Sequence, residues 1–146
     1  MNHADSFRTH PMGIRVRITT IHASILILLG LGFSINAIAG GLAGVGMYPF
    51  LFTNHIGAVG LLQAYLLMAV VGGSIWIGFA TSRPLPRAWH WLAMAAHLPP
   101  LIAVALFTAS TPEMTMKFVV VSLVIHGTGI GAELYARSRR DEIVAG

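Results

Sequence analysis

The chain has 146 residues, 55% of them apolar and only 10% charged, a composition outside the range of ordinary soluble domains. Nine basic residues against five acidic ones give a net charge of +4, and the lack of cysteine excludes disulfides, thiolate zinc sites, iron–sulfur clusters and cysteine nucleophiles. A bilayer core about 30 Å thick takes roughly 20 apolar residues per helical crossing, so the chain has room for at most four or five spans and no separate soluble domain.

Charged residues and turn formers divide the sequence. Residues 1–17 are polar at first, without apolar periodicity, and read as a tail; His3 and His10 have no third ligand nearby to hold a metal. The first predicted span covers 18–40. Arg15 and Arg17, the apolar run from Ile21 and the small-residue triplet Ala37-Ile38-Ala39 share features with a secretory signal. The run is longer than the about 7 to 15 residues of a signal core, so a retained span is expected. A Gly-rich connector with Tyr48 and Pro49 leads to a second span at 57–80, and a short turn around Pro84 and Pro86 leads to a third at 88–108. Another cluster of turn formers, ending in Pro112 and Glu113, precedes a fourth span at 116–135 and a basic tail at 137–146. None of these stretches alternates with period two as a barrel strand must. The predicted fold class is therefore an all-α integral membrane protein, a single four-helix transmembrane bundle over 18–136.

Orientation follows from the basic residues. Arg8, Arg15, Arg17, Arg83, Arg87, Arg137, Arg139 and Arg140 all fall on one side of the predicted bundle, and Lys117 alone on the other. Both termini and the middle connector are expected to be cytoplasmic, in a multi-pass protein of the cell (inner) membrane. The same topology accounts for the positive charge, so no nucleic-acid partner is expected.

Polar groups at bilayer depth cost free energy unless they find partners, so the few present mark the interior. At about 100° per residue, Ser122, His126, Gly129 and Glu133 share one face of the fourth span, with Arg137 one turn further on. His90, Met94 and His97 share a face of the third, His22 and Asn36 of the first, and Gln63 and Ser74 of the second. A rise of about 1.5 Å per residue sets His97 and His126 level near the midplane. The same rise sets His22, His90 and Glu133 within about 7 Å of the cytoplasmic end. Three layers are expected: the amides of Asn36 and Gln63 outermost, a histidine pair in the middle, and a His, His, Glu group near Arg87 and Arg137. Pro99-Pro100 predicts a kink just after His97, since the prolines free the carbonyls of Ala95 and Ala96. Gly127-x-x-x-Gly131 has a helix-packing spacing, and Gly127, Gly129 and Gly131 leave room beside His126 for a flat macrocycle or a second helix.

Four functions fit these residues. The leading one on base rates is a small accessory or anchor subunit whose polar layers fix helix register while it works with a larger membrane partner or a second copy of itself. The second is a redox subunit that binds haem b through His97 and His126 as axial ligands, or that serves a quinone, with His22, His90 and Glu133 taking up protons. The third is a membrane-embedded enzyme on a lipid-like substrate, with His126 or His97 and Glu133 as catalytic proton-transfer groups. The fourth is a small oligomeric transporter with Glu133 or a histidine as its coupling group; a plain ion pair with Arg137 accounts for Glu133 equally well. Phosphate loops, nucleotide fingerprints, catalytic serine motifs and the His spacings of di-iron membrane enzymes are absent from the sequence.

Overall fold

A computed structural model describes residues 13–82, 85–107 and 116–139. All the regular structure among them is helical: α1 (Ile14–Ala43), α2 (His55–Thr81), α3 (Ala88–Ala95), α4 (Leu98–Phe107) and α5 (Met116–Ser138), with one 3-10 turn at Pro49–Phe52 between α1 and α2. Four stretches are long and apolar enough to cross a membrane, with α3 and α4 together forming the third. The start of α1, the connector before α3 and the end of α5 lie at the same end of the bundle, where Arg15 donates to the carbonyl of Leu85 and the Arg137 guanidinium lies 4.6 Å from the centre of the Trp91 ring. That end carries the arginines of the described residues.

α1 and α2 are tied into an antiparallel pair by glycine. A Cβ on Gly72 would stand 2.6 Å from the Ala23 carbonyl oxygen, and one on Gly30 would stand 2.7 Å from the backbone of both Tyr65 and Ala69, so only hydrogen lets the two backbones approach. Ala23, Leu26, Ile75 and Ala93 form the apolar core beside this seam, with Trp89 laid against the bare face of Gly78. Trp76 Nε1 donates to Ser24 Oγ across the seam at 3.1 Å, and Asn54 caps α2 by accepting from the Gly57 amide at 2.9 Å. No Cα of α2 comes within 8 Å of α4 or α5. The second half of the chain therefore meets the first mainly through α1 and α3.

The third span is one helix in the sequence reading and two in the structure. Pro99 and Pro100 have no N–H for the carbonyls of Ala95 and Ala96, and the chain answers by breaking upstream of the prolines. Ala96 N still reaches Leu92 O at 3.2 Å, but His97 N bonds Met94 O at 3.0 Å, one residue early. His97 thus sits in the break itself, turned inward with only 4% of its surface exposed.

Candidate functional site

The structure gathers five ionisable side chains from all the spans except α2 into one hydrogen-bonded row. Glu133, on α5 and fully buried, holds its Oε1 2.5 Å from His22 Nδ1 and its Oε2 2.7 Å from His90 Nδ1. His22 Nε2 stands 2.7 Å from His97 Nε2, with ring centroids 4.9 Å apart and only 6° between the ring planes, so the two rings meet edge to edge in nearly one plane. His97 Nδ1 stands 2.9 Å from His126 Nδ1. The order is His90, Glu133, His22, His97, His126. The expected histidine pair and the expected His, His, Glu group are therefore a single row, joined because His22 uses both of its nitrogens.

Each placement has a local cause. Arg15, Thr19 and His22 fall on one face of α1, and Thr19 Oγ1 lies 3.1 Å from Arg15 O, 3.3 Å from His90 Nδ1 and 3.4 Å from Glu133 Oε2. The buried Arg15 closes this end of the row. On α5, Gly129 faces the His97 ring so closely that a Cβ there would collide with Nε2, so this glycine makes room for an imidazole. Gly127 and Gly131, whose spacing suggested packing, face open space.

The remaining expected interior residues fare unevenly. Ser122 is buried one turn from His126. Asn36 is half-buried and bonds the carbonyl of Gly32 on its own helix, and Ser74 likewise bonds Val70 O. Gln63 is exposed on the outer face of α2, because the buried side of that helix is the one with Gly72, Ile75 and Gly78, which meets α1 and α3. The amide layer does not form. Arg137, expected beside Glu133, lies over Trp91. Arg15 and Thr19 were missed as interior residues, although their spacing of four and seven from each other and from His22 sets them on the histidine's face; Tyr48 and Tyr65, whose hydroxyls meet at 2.7 Å at the far end of the bundle, carry no comparable signal.

Beside the row lies a cleft of about 460 Å³, within the range of small-molecule sites, between α1 and α5. On α1 it runs from Ile18 to Phe33, about 22 Å at the helical rise, and Tyr48 and Tyr65 line its far end. Its walls are mostly apolar, with His22, His97, His126, Ser122 and Thr128 and the two tyrosines as the polar side chains along them. It opens because α5 stands off from α2.

The row fixes its own proton order. With Glu133 ionised, its two oxygens accept from Nδ1–H of His22 and Nδ1–H of His90. Neutral His22 is then bare at Nε2 and accepts from Nε2–H of His97, which is bare at Nδ1 and accepts from Nδ1–H of His126. Every contact has one donor and one acceptor, and the row ends on a bare His126 Nε2. A proton added there is relayed by one shift at each contact until it rests on Glu133, with each ring left in its opposite tautomer.

As axial ligands, His97 and His126 would hold iron and a macrocycle between them; here their rings touch, so the pair as placed does not fit haem. Among the described residues no three His, Cys, Asp or Glu side chains are arranged to hold a metal ion. Comparison with known proteins finds no matching family model, no matching characterised protein and no matching solved structure.

Proposed function

We propose that this chain is a membrane subunit that passes protons between a ligand in the α1–α5 cleft and Glu133 near the arginine-rich end. The observation that carries the reading is the unbroken row from His126 to Glu133, in which each ring nitrogen but the two end ones has a partner. Register-fixing polar layers, which an accessory subunit needs, require only pairs; a row of five groups that alternates donor and acceptor supports transport of a proton. By the excess of arginine at that end, the Glu133 end faces the cytoplasm in an inner-membrane topology with both termini inside. A small chain that relays protons works beside a larger membrane partner, which supplies the chemistry that consumes or releases them.

The test is nitrogen-15 NMR of histidine-labelled protein in detergent. The expected resting pattern is N–H at Nδ1 of His22, Nδ1 of His126 and Nε2 of His97, and acidification is expected to reverse all three together as Glu133 takes the proton. Independent protonation of His97, with His22 and His126 unchanged, would overturn the relay.

A further inference from the structure

Three rings of the row, His22, His97 and His126, reach the cleft, and one nitrogen among them is free of the row. His126 uses only Nδ1 within the row, and its Nε2 has no hydrogen-bond partner among the described residues, while the ring is half-buried in the cleft wall. In the resting order derived above that nitrogen is a bare acceptor. A bare acceptor facing an apolar cleft selects a ligand that brings a hydrogen.

We propose that the cleft binds an apolar phenol of the hydroquinone class, its hydroxyl donating to His126 Nε2 beside the Ser122 hydroxyl and its tail lying along Leu29, Phe33 and Met68. The inference rests on the proton-relay reading, which sets the free nitrogen as an acceptor.

Three observations narrow the ligand to this class. The cleft wall is apolar over about 22 Å of α1, so the ligand is largely hydrocarbon. Ser122, one turn before His126 and 8% exposed, offers a second hydroxyl to the same head group, and a phenolic oxygen both donates and accepts. The relay shares a proton only with a group of comparable acidity. A phenol titrates near about 10 and an imidazole near about 6.5, whereas an aliphatic hydroxyl, as weakly acidic as water, lies far above that range. Binding itself breaks no bond and moves no electron.

The bare nitrogen favours the reduced form of such a ligand over the oxidised one. A quinone has only acceptors to offer and meets a bare His126 Nε2 with its carbonyl, lone pair against lone pair. The hydroquinone meets it with a hydrogen.

The probes are decylhydroquinone, its dimethyl ether and decylquinone, titrated calorimetrically into the full chain in detergent, with His126→Phe and Ser122→Ala beside wild type. Decylhydroquinone is expected to bind about tenfold or more tightly than its ether, since the ether leaves the ring nitrogen unpaired. The difference is expected to vanish in His126→Phe and to shrink in Ser122→Ala. Equal binding of hydroquinone and ether to wild type would mean a slot for any apolar chain and would overturn the ligand class. A discrimination that persists in His126→Phe would overturn His126 as the recognising group, as would tighter binding of decylquinone than of decylhydroquinone. The nitrogen-15 pattern of the unliganded protein separates the two failures: an intact tautomer order with no discrimination sinks the ligand and leaves the relay, and a scrambled order sinks the relay itself.

Discussion

The two halves of the bundle are made of equally apolar helices and behave in opposite ways. At the arginine-rich end α1, α3 and α5 close around Glu133, and Arg15, Thr19, His22 and His90 are all buried there. α5 stands away from α2 along its length, and the cleft this leaves runs from Ile18 to the far end at Tyr48 and Tyr65. Apolar surface does not distinguish these ends, because a leucine gains little by leaving lipid for protein. What separates them is where polar groups need partners and where glycine lets backbones touch. In a bilayer the hydrogen bonds of the closed end would have no alternative partner; among the described residues the open end has the contact between Tyr48 and Tyr65 and a longer one from Met47 N–H to Asn36 Oδ1.

If that contrast is right, the most damaging substitution in the chain lies at Glu133. Glu133→Leu leaves the Nδ1–H of His22 buried without an acceptor and leaves that of His90 only the longer contact to Thr19 Oγ1, a cost on the order of 3 kcal/mol for the two together. The melting temperature of the detergent-purified protein, followed by circular dichroism, is expected to fall more for this variant than for any single substitution in the cleft wall. A melting temperature unchanged by Glu133→Leu would mean that the closed end is held by packing alone.

The glycines of α5 sharpen the comparison within one helix. Gly129→Ala puts a methyl into the His97 ring and is expected to cost about 1–3 kcal/mol and to change the nitrogen-15 shifts of His97 and His126. Gly127→Ala and Gly131→Ala face open space and are expected to stay within about 0.5 kcal/mol of wild type. Equal effects at all three positions would show that α5 does not meet His97 through Gly129.

Much of this was legible in the sequence, and the rest was not, for physical reasons. The four spans, the shared face of His126 and Glu133 and that of His90 and His97 follow from helix period alone, and the structure keeps them. Helix period does not say which faces meet. Gln63 looked interior because its helix has so few polar groups, yet Gly72 and Gly78 decide which side of α2 is buried. The prolines announced a bend; that it opens at His97, four residues before the freed register is restored at Leu101, depends on which carbonyls lose their donors. The merging of two layers into one row was invisible, since it rests on His22 reaching a carboxylate on α5 and a ring in the α3–α4 break at once.

The smallest expected effect lies at the open end. Tyr48, in the connector, and Tyr65, on α2, meet through their hydroxyls at 2.7 Å with rings stacked 6.1 Å apart, and Phe33 tilts against Tyr65 at 5.0 Å. Tyr65→Phe removes one hydrogen bond and keeps the ring stack, so the loss is that of an average interhelical bond in a membrane, about 0.6 kcal/mol. Tyr48→Phe removes the same bond from the other side, and the double variant is expected to cost no more than either single one, because the second substitution has no bond left to break. A double-mutant cycle on thermal unfolding reads the coupling directly. Additive losses would mean that each hydroxyl has its own partner at this end, in which case the far end of the cleft is a second polar station and the contrast between the two halves is weaker than the Tyr48–Tyr65 contact alone implies.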